Sequence, residues 1–186
     1  MAKLYFRYAA MNAGKSTALL QVAFNYEEQQ QRVVLYTAEL DDRFGVGQIA
    51  SRLGLQREAR TFSPQLDFGT ALADEQQLAC VLIDEAQFLT PGQVRQLHRF
   101  AHTRNIPVIC YGIRSDFQGE PFPGAIYLLA LADDLEEMKT ICLCGRKATM
   151  NTRIDAQGQR VREGEQVEVG GNSRYRSVCA RCFYLG

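Results

Sequence analysis

The chain has 186 residues, enough for one domain with a proper core, or for one domain with a small appendage. Hydrophobic residues make up 46% and charged residues 23%, an ordinary composition for a soluble globular protein. Lys plus Arg equals Asp plus Glu at 21 each; zero formal net charge speaks against a nucleic-acid backbone binder, a local basic patch aside.

The first ten residues, MAKLYFRYAA, set Lys3 and Arg7 among apolar residues and lack the apolar core of a signal peptide. No stretch is long enough to span a membrane, so the expected location is the cytoplasm. Residues 3–9, LYFRYAA, predict a short strand. Residues 15–30 predict a helix with Leu19, Leu20, Ala23 and Phe24 on one face. A second strand is predicted over 32–38, RVVLYTA, followed by the turn-rich ELDDRFGVG and a weakly patterned region to about residue 76. The run LACVLI, 78–83, predicts a strand buried on both faces. Pro91 opens a helix through about Arg104, because proline suits the first helical turn. IPVICYGI, 106–113, predicts another buried strand, and the loop RSDFQGEPFPG leads to a short apolar helix, AIYLLALA. Strands alternating with helices imply an α/β fold with a mostly parallel sheet. After about residue 140 the texture changes: KATMNTRID and EQVEV read as short β pieces, separated by AQGQ and GGNS.

Between the first strand and helix lies AAMNAGKS, residues 9–16. It fits the phosphate-loop pattern G-x-x-x-x-G-K-[ST] except that Ala9 stands at the first glycine; Gly14, Lys15 and Ser16 are in place. Such a loop aims backbone N–H groups at phosphate oxygens, its lysine reaches the β- and γ-phosphates, and its hydroxyl ligates Mg²⁺. A partner carboxylate is expected at the end of a buried strand, and CVLIDEAQF supplies Asp84, with Glu85 beside it and pointing differently. One carboxylate for the metal and one for proton abstraction is the division this suggests; an Asp-Glu pair by itself is more often a solvated helix cap.

The six cysteines separate by position. Cys80 and Cys110 sit in apolar runs and read as buried thiols. Cys142, Cys144, Cys179 and Cys182 form two close pairs. Cys179-x-x-Cys182 has zinc-knuckle spacing, while Cys142-x-Cys144 is tighter than usual. Structural zinc is the reading taken, because the pairs flank a lobe too small for its own core; a redox pair and unrelated thiols are the alternatives. His98 and His102, four apart on the helix after Pro91, lack a third ligand in the sequence and read as surface or interface residues.

Four segments, AAMNAGKST, YTAELDDRF, LIDEAQFL with YGIRSDFQGEPF, and VGGNSRYRSVCARC, resemble the type II thymidine kinases over nearly the whole chain. That resemblance implies a RecA-like P-loop kinase domain over 1–140 and a zinc-binding lasso domain over 141–186. It implies ATP binding by Ala9, Ala10, Met11, Asn12, Ala13, Gly14, Lys15 and Ser16, and by Asp84, Glu85, Ala86 and Gln87. Lys15, Ser16, Asp84, Asp41 and Arg43 would lie at the phosphates and Mg²⁺, and Glu85 would be the general base. Met11, Gln87, Phe88, Phe117 and Phe122 would surround thymine, with the Tyr175 backbone holding the base edge; core packing is the plainer reading of the three phenylalanines. The small residue at position 9 and the C-x-C pair are both similar to bacterial members. The implied activity is phosphorylation of thymidine by ATP; whether deoxyuridine is also accepted stays open here. The resemblance also implies a homotetramer and feedback inhibition by thymidine triphosphate; the neutral charge and the lack of a spanning stretch set the expectation of neither nucleic acid nor membrane as partner. The sequence ends four residues after Cys182, so no long regulatory tail is expected. Two other classes stay open here: a DNA-stimulated ATPase with a zinc ribbon, and a nucleotide sensor without turnover.

Overall fold

Strands of alternating outlook and helices with one apolar stripe pack into three layers. A computed structural model describes residues 1–167 and 174–186. Its main sheet has six strands: β1 (Leu4–Tyr8), β2 (Arg32–Ala38), β5 (Arg60–Phe62), β6 (Leu78–Ile83), β7 (Val108–Gly112) and β8 (Asp134–Glu137). Their order is β5-β2-β6-β7-β1-β8, and every pairing is parallel. The expected α/β class with a mostly parallel sheet is therefore what the chain adopts.

Because side chains alternate along a strand, each buried strand feeds two cores. Val81 and Ile83 of β6 join Leu4, Phe6, Tyr36, Val108 and Cys110 on one face. Cys80 and Leu82 join Leu35, Ile109 and Tyr111 on the other. Helix α1 (Lys15–Glu28) covers the second face through Leu19, Leu20 and Ala23. Helices α2 (Phe68–Ala71), α3 (Pro91–Arg104) and α4 (Pro123–Leu131) cover the first through Phe68, Val94, Leu97, Ala125 and Leu128. Phe24, expected on the buried face of α1, is half exposed. At 100° per residue it falls on the flank of the stripe that Leu19 and Ala23 centre.

Strands β2 and β6 and helix α3 lie where the sequence puts them. Helix α3 starts at a capping box: the Thr90 hydroxyl accepts from Gln93 N–H at 3.2 Å, and Gln93 Oε1 accepts from Thr90 N–H at 2.9 Å. The weakly patterned region holds a small hairpin, β3 (Gln48–Ala50) with β4 (Gln56–Glu58), besides β5 and α2.

Past β8 the described strands pair only among themselves. β9 (Thr140–Ile141) pairs with β10 (Lys147–Ala148), and β11 (Met150–Ile154) lies between β12 (Arg160–Val161) and β13 (Tyr175–Val178); α5 (Ala180–Leu185) follows. AQGQ makes the turn between β11 and β12. The described part of EQVEV, residues 165–167, is not a strand; β11 takes β13 as its partner on that side instead. The rest of EQVEV and the GGNS segment lie outside the described residues. No described helix is long and apolar enough to cross a membrane.

Candidate active site

The carboxyl ends of β1 and β6 bring together the loop of residues 9–16 and the Asp84–Glu85 pair, as expected for ligand sites in open parallel sheets. Ala9 leaves β1 with its N–H donated to Gly112 O of β7 at 3.2 Å. The left-handed positions of the loop are Asn12 (φ 62°) and Gly14 (φ 80°); Ala9 is not among the residues with positive φ. A glycine is therefore not required at position 9 by backbone geometry, and the departure from the loop pattern has a physical reason. Gly14 is the N-cap of α1, and Lys15 and Ser16 open that helix.

Lys15 Nζ donates to Ala10 O at 3.0 Å, so the lysine folds back over its own loop. Burial pulls its pKa down, while Glu85 and Asp84 oppose that pull. Ser16 Oγ donates to Asp84 Oδ2 at 2.9 Å, and Asp84 Oδ1 accepts the Glu85 N–H at 3.0 Å. Asp84 is 4% exposed. Desolvation, then the charge of Glu85, push its pKa up to about 7.

Glu85 sits in the left-handed region at φ 51° and starts a single 3₁₀ turn, Ala86–Phe88. For a residue with a Cβ this conformation costs about 1–2 kcal/mol. It turns the chain sharply, so Asp84 faces Ser16 while Glu85 faces Arg43. Arg43 donates to Glu85 Oε1 at 2.6 Å and to both Asp41 oxygens at 2.5 and 2.6 Å. Gln87 Nε2 donates to Glu85 Oε2 at 2.5 Å, and Gln87 Oε1 accepts the Ile113 N–H at 3.3 Å. Burial would raise the Glu85 pKa, but Arg43 and then Lys15 outweigh it and hold the carboxylate below its ordinary value. The Arg43 guanidinium is raised, its two carboxylate partners overcoming its burial.

A cavity of about 540 Å³ opens here, lined by Met11 to Ala18, Arg43, Phe44, the 50–53 loop, Glu85 and Ile113. Of the residues expected around a base, only Met11 lines it. Phe88 and Phe122 pack edge to face, ring centroids 5.6 Å apart, against the core. Phe117 is buried and carries the Arg153 guanidinium 3.8 Å from its ring centroid. The same guanidinium donates to Tyr175 Oη at 3.0 and 2.7 Å.

Sequence reasoning missed the contacts that tie β11 and β13 to the loop. Asn151 Oδ1 accepts the Met11 N–H at 2.7 Å, Asn151 Nδ2 donates to Ser115 O at 3.2 Å, and the Ser177 hydroxyl donates to Met11 O. Met11 and Asn151 are 140 residues apart, so no local pattern marks the pair.

The four late cysteines do meet. Their sulfurs lie within 4.8 Å of one another, with Cys144 and Cys179 at 3.6 Å. Four thiolates around Zn²⁺ at about 2.3 Å stand about 3.8 Å apart, so the donor set fits a tetrahedral zinc site. The backbone N–H of Arg146, then neighbouring thiols, lower the Cys144 pKa to about 6, while the hydrogen bonds with Cys144, Cys179 and Cys142 raise that of Cys182 to about 12. Cys80 and Cys110 are fully buried free thiols.

Fold and site together define a class: an α/β protein whose parallel sheet presents a glycine–lysine–serine loop, a buried carboxylate and an arginine-paired glutamate around one cleft. The profile described as thymidine kinase matches residues 2–183. The thymidine kinase of Chromobacterium violaceum is 65% identical over 184 residues, covering 99% of both chains. That of Albidiferax ferrireducens is 58% identical over 185 residues, covering 100% of this chain and 93% of its own. That of Idiomarina loihiensis is 59% identical, covering 97% and 95%. The chain belongs to the thymidine kinase family and is an enzyme, a deoxynucleoside kinase. A chain from a structure of two Pif1 helicases on forked DNA aligns with a TM-score of 0.41 at 14% identity, over 75% of this chain and 40% of its own.

Proposed function

We propose that this enzyme transfers the γ-phosphoryl group of ATP to the 5′-hydroxyl of thymidine, with Glu85 as general base. One observation carries the reading: Glu85 lies in the wall of the same cavity that Met11–Ser16 and Arg43 line. The thymidine 5′-oxygen would bond to the γ-phosphorus as the bond to the β–γ bridging oxygen breaks. The hydroxyl proton would pass to the Glu85 carboxylate, and ADP would leave. Gln87 and Arg43 hold the two Glu85 oxygens, which fixes the direction of the base before substrate arrives. Ala9 to Ser16 would cradle the phosphates, and Lys15 and Arg43 would neutralise the charge that phosphoryl transfer concentrates there.

Ser16 and Asp84 are a hydroxyl and a buried carboxylate 2.9 Å apart, a donor set suited to a hard cation. They would hold Mg²⁺, which supplies charge neutralisation at the phosphates. Asp41 would orient Arg43. The segment Asp84 to Gln87 would belong to the ATP site as a whole. Phe88, Phe117, Phe122, Met11 and Tyr175 are proposed around the base, and in this structure the aromatic members pack on the core or on Arg153.

The same reading takes residues 1–140 as a RecA-like P-loop domain and 141–186 as a lasso domain held by structural zinc. The main sheet ends at Glu137, which supports that boundary. It takes the enzyme as cytoplasmic, without nucleic-acid partner, inhibited by thymidine triphosphate and homotetrameric. Helix α4 is apolar almost throughout yet leaves Ile126 and Leu129 exposed, which supports an interface there. The test is product analysis of thymidine with ATP and Mg²⁺: thymidine 5′-phosphate and ADP should appear in equal amounts, and the same assay on deoxyuridine reads whether it is a second substrate. ADP without nucleoside phosphate would sink the assignment.

A further inference from the structure

His98 and His102 acquire in the fold the third partner that the sequence does not show. They sit one turn apart on α3 with ring centroids 4.7 Å apart, and Asp133, just past α4, faces them. His102 Nε2 lies 3.1 and 3.0 Å from the two Asp133 oxygens, and His98 Nε2 lies 3.8 Å from Oδ1. One ligand atom from each of the three falls within 4.8 Å of the others, and the cysteine cluster is the other such group among the described residues.

We propose that His98, His102 and Asp133 form a second metal site, separate from the cysteines, for a zinc-like divalent transition ion. Histidines at i and i+4 project from one helix face, so they chelate without rearranging the backbone. Imidazole and carboxylate bound at about 2.0–2.2 Å in a tetrahedral site stand about 3.3 Å apart, within the range of the separations found here. The carboxylate is already aimed. Asp133 Oδ2 accepts the Leu4 N–H at 2.8 Å, and Asp133 N–H donates to Leu4 O at 2.9 Å. Those bonds fasten the residue to β1 and leave Oδ1 turned toward both rings, the orienting role that outer hydrogen bonds play at metal sites. Nitrogen and oxygen donors without thiolate suit Zn²⁺, Ni²⁺ or Co²⁺ rather than Mg²⁺. All three side chains are about a quarter to a third exposed, so the ion can enter and water completes its coordination. A bound ion would fasten α3 to the junction of β1 with the α4–β8 connection.

The experiment is equilibrium dialysis of the full chain against buffered micromolar Zn²⁺, with zinc counted per chain. It compares wild type with His98→Gln, His102→Gln and Asp133→Asn. The shared cysteine cluster cancels in this comparison. His98 reaches Asp133 only at 3.8 Å, so His98→Gln spares the hydrogen bonds that hold the fold, and Asn at 133 keeps an acceptor for Leu4. Wild type should take up one saturable equivalent more than each variant, whose affinity falls at least about tenfold. Zinc should also raise the unfolding temperature of wild type more than that of His98→Gln. Equal uptake by wild type and variants, or no saturable second equivalent, would overturn the site.

Discussion

Ala9 and Gly14 separate two uses of glycine in one loop. Ala9 keeps a conformation open to any residue, whereas Gly14 at φ 80° has open space for a Cβ but a backbone that L side chains rarely adopt. Ala9→Gly should therefore leave stability within about 1 kcal/mol, while Gly14→Ala should lower it by about 1–2 kcal/mol, read by urea unfolding. Arg43 gives a second prediction. Burial works to raise the Glu85 pKa and Arg43 is the largest influence lowering it. Removing the guanidinium takes away the largest of the lowering influences, so the carboxylate protonates at higher pH. The acid limb of kcat/KM should then move to higher pH in Arg43→Ala, and an unmoved limb would exclude Glu85 as the titrating base. The loop, Asp84 and Glu85 were legible because their chemistry follows strand ends in one short window. Asn151 and Ser177 were not, because their partner at Met11 lies 140 and 166 residues away.

Elements were legible where apolar run and punctuation agree. LACVLI buries both faces, and Thr90-Pro91 with Gln93 starts a helix by local bonds alone. The three-residue strands QIA, QRE and RTF were not legible, because short strands with polar positions carry no period to read. The 3₁₀ turn under Glu85 owes its place to α4. A Cβ on Gly124 would stand 2.5 Å from Leu89 O, 2.7 Å from Gln87 O and 2.9 Å from Ala86 O. Gly124→Ala must push that turn or the helix start aside. We expect a loss of about 1–3 kcal/mol in stability and a fall in kcat, measured by unfolding and turnover on the same preparation. Gly112 acts in the same place, since a Cβ there would meet Gln87 Oε1 at 2.8 Å.

Across the whole molecule, the late strands and the main sheet meet at the loop of residues 9–16. Asn151 and Ser177 grip both backbone polar groups of Met11, so the conformation of the loop depends on the cysteine-flanked lobe. Asn151→Ala should leave the Met11 N–H without its acceptor, cost about 1–3 kcal/mol, and raise the KM for ATP. If zinc holds the lobe, Cys182→Ser should lose about one zinc per chain and show the same rise in KM. Metal analysis beside steady-state kinetics reads both effects. The most direct measurement of the central claim is thymidine phosphorylation by wild type and Glu85→Gln in parallel, with ATP binding measured on both. The account predicts turnover by wild type, and a variant that binds ATP as tightly but loses about 10²–10⁴ in rate. A variant that turns over at the wild-type rate would contradict it.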